Sequence, residues 1–447
     1  MRNIFTPLIL FLAHYAVAFS QSSAAFLTIA PGARAGGMGE AHVAVANDAY
    51  ATYWNPAGLA FLDGSQVALM HANWLPNIAS DMTYDFAALR LNIGDVSSLG
   101  AHLIYFNLGE QVRMGETAAD VLGTFTSYSA AFGLSYSRTL SIQSAFGITA
   151  KVLRQDLVEV GAGAERGKGA STDVSFDFGY LNGSYFDERL ALGVALSNLG
   201  PSISFIDADQ FDPQPTEVTV GLSYAVLASA TNSLTVVYDL HKPLVAAYPA
   251  MDWDADGVIG GFDKEGNLLT FGDYNSAGKR ETAHADPFYV GIFTSWVDDW
   301  LLGGDMDMAP AGRLEDRIIG GYDWVDTNGN GQIEAHLGEM VRSEGNPGDE
   351  GWGEYNAYGQ REVGSADERS IGDELKKLSH NLGVEYWYAE FIAVRAGYIY
   401  DPVGDVHNPT FGFGIRSGRS GFDFGYTAGP VGHPLSNTMR FSLSLAF

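Results

Sequence analysis

Apolar and polar positions alternate over long tracts of this chain. Val218, Val220, Leu222, Tyr224 and Val226 point one way, and Thr219, Gly221, Ser223 and Ala225 the other. Val174, Phe176, Phe178 and Tyr180 oppose Asp173, Ser175, Asp177 and Gly179. Leu190, Leu192, Val194 and Leu196 oppose Ala191, Gly193, Ala195 and Ser197. The last ten residues repeat the pattern, with Phe441, Leu443, Leu445 and Phe447 against Ser442, Ser444 and Ala446. A period of two is the signature of a strand with two unlike faces.

Such tracts cover 65–75, 82–93, 99–108, 128–139, 144–155, 172–181, 189–199, 217–227 and 233–242. After a break they resume at 378–388, 392–400, 410–417, 421–427 and 438–447. Nine and five make fourteen, an even number that suits antiparallel closure with both ends of the sheet on one side. Their lengths match the roughly 9–11 residues with which a tilted strand crosses a bilayer. The second face separates a membrane barrel from a soluble sandwich, whose polar face meets water and usually carries charge. Here that face is mostly Gly, Ala and Ser. The pattern predicts an all-β fold, a transmembrane antiparallel β-barrel of about 14 strands. Its apolar face meets outer-membrane lipid and its small-residue face meets the lumen. In lipid no edge can stay unpaired, so the tract ending at Phe447 is expected to close the ring.

Composition agrees. Charged residues are 17% of the 447, against about 25% in an average soluble domain. Gly (54), Phe (26) and Tyr (22) are abundant, as turns and aromatic girdles require. Residues 1–20 read as a signal peptide, with Arg2 in a positive n-region and an apolar stretch over 7–19. Cleavage is expected after Ala18 or Ser20. Residues 21–62 are Ala- and Gly-rich without alternation, and are expected to form a plug inside the barrel or a periplasmic segment. Within them, 41–53 suit a short helix and Asn55-Pro56-Ala57-Gly58 a turn, with Gly58 supplying a positive φ. The barrel is then divided into 63–245 and 376–447. Gly397, Gly412, Gly414, Gly421 and Gly425, in or beside the late strands, allow twist or close approach of a plug.

Residues 246–375 are of another kind. They hold 27 Asp+Glu against 8 Lys+Arg, a net −19 of the chain's −28. So long a plain loop is unusual, which favours a folded extracellular insertion or a partner-binding loop. Residues 288–302 suit an amphipathic helix better than a fifteenth strand. Two stretches have calcium-loop spacing. Asp252, Asp254 and Asp256 occupy positions 1, 3 and 5, with Gly257 at 6 and Asp263 at 12. Asp326, Asn328 and Asn330 repeat the spacing, with Gly331 at 6 and Glu334 at 9. Ca²⁺ takes six to eight oxygens, and alternating Asp and Asn on a tight loop bring several to one point. The second loop has Leu337 at position 12, so it lacks the usual bidentate acid. The alternative is a pair of acidic turns.

No catalytic constellation stands out. The ten His are scattered, there is no Cys, and no Gly-x-Ser-x-Gly elbow or phosphate loop occurs. The expectation is a protein that is not an enzyme. The acidic balance disfavours nucleic acid as a partner.

Three stretches together resemble the PorV/PorQ family of outer-membrane barrels associated with type IX secretion. Residues 25–62 carry F-L-x-I-A-P-x-A-R-A-x-x-M-G-x-A and then Trp54-Asn55-Pro56-Ala57. Glu385-Tyr386-Trp387-Tyr388 with Val394-Arg395-Ala396-Gly397-Tyr398 is similar to a late strand pair. Residues 434–441 are similar to the family's final turn and strand. The resemblance implies a 14-stranded barrel of the fatty-acid-transporter type in the outer membrane. It also implies binding of secreted cargo through the cargo's carboxy-terminal domain, and its transfer from a translocon to a cell-surface attachment complex. Translocon and attachment-complex subunits would then be partners. Two other readings stay open: an outer-membrane transporter of hydrophobic small molecules, with 26–62 as a gate, and a structural porin.

Overall fold

The structure, a computed structural model, describes residues 23–62, 64–114, 121–158, 169–185, 188–205, 212–248, 284–297, 317–324, 340–344, 371–430 and 435–447. Strands dominate. They are β1 (Gln66–Asn73), β2 (Thr83–Asn92), β3 (Ser97–Met114), β4 (Val121–Ser141), β5 (Ser144–Val158), β6 (Gly169–Tyr185), β7 (Leu190–Leu199), β8 (Glu217–Ala228) and β9 (Asn232–Pro243). Then follow β10 (Ala247–Tyr248), β11 (His284–Ala285), β12 (Arg317–Trp324) and β13 (Met340–Glu344). The last are β14 (Ser379–Tyr388), β15 (Ile392–Asp401), β16 (Val406–Ser417), β17 (Ser420–Thr427) and β18 (Thr438–Ala446).

Fourteen of these, β1–β9 and β14–β18, form one closed antiparallel barrel. Consecutive strands pair, β9 pairs with β14 across the break, and β18 returns to β1 with Leu443 opposite Leu69. The terminal tract therefore closes the ring, and every wall strand has two neighbours. No described helix is long and apolar enough to cross a membrane, which is what a strand-built span entails.

The faces fall as the alternation requires. On β8, Val220, Leu222, Tyr224 and Val226 are exposed, while Thr219, Gly221 and Ser223 are buried. On β18, Phe441, Leu443 and Leu445 face outward, and Arg440 and Ser442 inward. At one end, connections of two to four residues join β2–β3, β4–β5, β6–β7, β8–β9, β14–β15 and β16–β17; at the other end only β15–β16, with four, is as short. The longer ones, including the break after β9, lie at the opposite end. Short periplasmic turns and longer extracellular loops are the rule for outer-membrane barrels, so the second end is the extracellular one.

Four strands outgrow the predicted tracts. β3, β4, β5 and β6 have 18, 21, 15 and 17 residues, whereas the other ten wall strands have 8 to 12. A bilayer uses about ten. Apart from residues at the periplasmic ends such as Asn182–Tyr185 of β6, the extra residues run beyond the wall on the extracellular side, where the alternation is lost.

Residues 246–376 form a compact unit of their own, Ala246–Lys376, apart from the barrel unit. Its described parts are the β10–β11 and β12–β13 pairs and two helices. The helix at Phe288–Thr294 starts after Pro287 and covers the first seven residues of the expected 288–302 helix, whose residues 298–302 lie outside the described residues. Its Thr294 hydroxyl donates to Asp286 at 2.6 Å.

Candidate functional site

The amino-terminal segment occupies the lumen and is held to the wall at every level. Its first described residue, Ser23, donates its N–H to Pro213 O at 3.0 Å in the long β7–β8 connection, at the extracellular end. Its last carbonyls, Leu59, Leu62 and Gly64, are taken by the Arg90 guanidinium near the short turn after β2. The segment thus runs the length of the barrel before entering β1.

Two short helices lie between, α1 (Ala33–Gly37) and α2 (Ala51–Trp54). The helix expected over 41–53 is restricted to α2. The N–H groups of His42 and Val43 donate to the Asp239 carboxylate of β9 at 2.6 and 2.8 Å, which withdraws them from a helical ladder. Gly58 also differs from expectation. It lacks a positive φ, and a Cβ there would collide with Ala46 O. The turn before it is as read: Asn55 is extended ahead of Pro56 and its side chain accepts from Ala57 N–H at 3.2 Å. Of the five late-strand glycines, Gly397, Gly412 and Gly425 lie against the plug, whereas Gly414 and Gly421 lie against wall side chains, Asp423 and Arg395 for the one, Ser444 and Arg416 for the other. A Cβ on Gly397 would strike Gly39 N, and one on Gly425 would lie 2.5 Å from Ala33 O.

A chain of buried charges fixes α1. Arg34 holds Glu385 of β14 with two bonds, Nε–Oε2 2.9 Å and Nη2–Oε1 2.8 Å. Glu385 also accepts from Arg395 Nε at 2.6 Å, directly across the β14–β15 pair. Arg395 reaches Asp423 at 2.8 Å, and Asp423 accepts from Arg416 at 2.8 Å. The Trp387 ring lies 5.4 and 5.2 Å from the Arg395 and Arg416 guanidinium carbons. Buried ions demand such partners, because an isolated one costs several kcal/mol. A second anchor joins Arg440 of β18 to Glu40 at 2.5 Å.

Electrostatics within the segment follow from this. Burial alone would raise the Asp48 carboxyl. The His42 ring, 3.6 Å away, and the Arg34 guanidinium, 3.4 Å away, reverse that and hold it down at about 2. Burial works against the Arg34 charge, but Glu385 and then Asp48 outweigh it and raise the guanidinium above its ordinary value. Burial also raises the Tyr50 phenol, which donates to Ser442 Oγ at 3.0 Å.

The candidate calcium ligands Asp252, Asp254, Asp256 and Asp263, and Asp326, Asn328, Asn330 and Glu334, lie outside the described residues, as does the expected signal peptide. The lumenal anchors were not singled out from sequence by role, although Arg34, Glu385 and Arg395 stand in the quoted motifs. Charged residues inside otherwise small-residue faces were the available signal.

The sequence profile described as type IX secretion system protein PorV matches residues 17–250, just over half of the chain. The chain belongs to the PorV family. PorV membership and the closed barrel together make it an outer-membrane component of type IX secretion. Among solved structures, it is similar to the P. putida toluene transporter TodX (11% identity, 93% of this chain and 98% of that one, TM-score 0.44). It is also similar to a Pseudomonas aeruginosa FadL homologue (10% identity, 92% and 97% coverage, TM-score 0.39). No curated protein matches the chain.

Proposed function

We infer that this PorV-family barrel is a binding and carrying protein without catalytic chemistry. It engages the carboxy-terminal domains of secreted proteins on the extracellular side and passes them from a translocon to a cell-surface attachment complex. The observation that carries the reading, beside family membership, is the bolted lumen. A segment fixed by Arg34–Glu385–Arg395–Asp423 and Arg440–Glu40 is suited to support a wall rather than to move as a gate. Function then falls to the extracellular surfaces: the tall β3–β6 sheet, the loops and the acidic insertion. Transport of a hydrophobic small molecule would require a path past those ion pairs.

The test is purification of the tagged protein from detergent-solubilised outer membranes after crosslinking in intact cells. Translocon subunits and secreted proteins sharing one carboxy-terminal domain type are the expected adducts. A preparation containing neither contradicts the reading.

The two aspartate-rich loops of the insertion complete the proposal, each taking one Ca²⁺. Terbium luminescence sensitised by Trp253 and Trp324, next to the loops, should rise on titration and fall with excess Ca²⁺. Asp254→Asn with Asn328→Ala should abolish the signal. A wild-type protein with no terbium signal rules the sites out.

A further inference from the structure

Strand β6 outruns its neighbour β7. β7 ends at Leu199, opposite Phe176, while residues 169–175 of β6 continue with β5 as their one strand partner. Among the described residues, one edge of this overhang is therefore unpaired by any strand. The Val174 carbonyl points to that side, because Gln214 Nε2 donates to it at 2.9 Å from the β7–β8 connection. Backbone groups of alternate residues share a side in an antiparallel strand. The N–H and C=O groups of Thr172 and Ala170 thus face the same edge, and no described residue bonds them.

The same tall sheet has a second overhang, where β3 passes the end of β2 above Asn107. That edge is guarded. Glu110 N–H donates to Asp81 Oδ2 at 2.8 Å, the register breaks between Asn107 and Glu110, and Gly109 sits at φ +79°. Glu110 and Arg113 add charge along it. Bulges, charges and capping side chains are the usual protections of an edge strand. The β6 overhang, Gly169-Ala170-Ser171-Thr172-Asp173-Val174-Ser175, has a register break against β5 beside Gly169 and Ala170, and Arg154 donates to Thr172 Oγ1 from the β5 side, but on the side away from β5 its one described backbone cap is Gln214.

We propose that residues 169–173 of β6 are a receptor edge to which the carboxy-terminal domain of a secreted protein adds a β-strand. Ala170 and Thr172 present donors and acceptors about 6.8 Å apart, the two-residue repeat of an extended chain. Backbone pairing gives affinity with little demand on side chains, which suits one carrier serving many cargoes. The inference rests on the cargo-binding reading above and names where on the wall it occurs.

The experiment uses the full-length protein in outer membranes. The probe is the carboxy-terminal domain of one secreted protein of the same organism, fused to a fluorescent protein. Thr172→Pro removes an N–H facing the edge and keeps the β5 backbone ladder, losing on that side only the Arg154–Thr172 Oγ1 bond, and Val112→Pro removes an N–H on the guarded β3 edge. Thr172→Pro should weaken probe binding at least about tenfold, since it removes a hydrogen bond and places a ring in the strand's path. Val112→Pro should stay within about twofold. Because Thr172→Pro could disturb folding, benzoylphenylalanine at Thr172 gives an independent readout, and its adduct with the probe should exceed that from position 112. Equal binding by wild type and a folded Thr172→Pro, or adducts from 112 and not from 172, overturns the β6 edge while leaving cargo binding intact. A wild-type barrel that binds no probe overturns both.

Discussion

At the scale of residues, the barrel is defined by charges placed where a lumen would otherwise be empty. Glu385 serves two guanidiniums, Arg34 of the plug and Arg395 of the wall. Removing it leaves both buried and short of a partner, whereas removing Arg34 leaves Glu385 paired with Arg395. Glu385→Ala should therefore cost about 3–5 kcal/mol of stability and Arg34→Ala distinctly less, read as the shift in heat-modified gel mobility. The reverse order would contradict the network. Asp48 adds a pH dependence. Its folded value of about 2 lies below the ordinary 3.8, so its contribution is full above about pH 4 and lost as pH falls toward 2. The wild-type unfolding midpoint should fall over that window, and Asp48→Asn should flatten part of the fall. An identical profile for the variant would contradict the assignment.

At the scale of elements, all fourteen wall strands were legible as alternation, since a sheet between lipid and a small-residue lumen must alternate. Leu222 is outward on β8, so Leu222→Lys should cost about 2–4 kcal/mol if it sits near the bilayer midplane, measured by denaturant midpoint in detergent or lipid. No effect would place that face away from lipid. Legibility failed where strands leave the membrane. On β3 and β4, residues such as Glu110, Gln111, Arg113 and Thr124 lose the two-faced pattern because water bathes them, so the tall sheet read as loops. The plug was legible as composition but not as conformation. Its shape is dictated from outside, by Asp239 on His42 and Val43 and by Gly397 against Gly39. Ion pairs such as Arg34–Glu385 are 351 positions apart and have no local signature.

At the scale of the molecule, a PorV-family barrel with a bolted lumen acts through its surface. The chain has no cysteine, so an introduced pair has no background. Ala33 N–H donates to Ser442 Oγ at 2.9 Å, which puts α1 of the plug directly against β18. Ala33→Cys with Ser442→Cys should lock the plug to the wall. Bridge formation is checked by mass mapping, and secretion of proteins bearing the type IX carboxy-terminal domain is then measured in cells carrying the locked barrel. Secretion at the wild-type level is the expected result. Secretion lost in the bridged form and restored by reducing agent would mean that the plug must move, and would contradict the account.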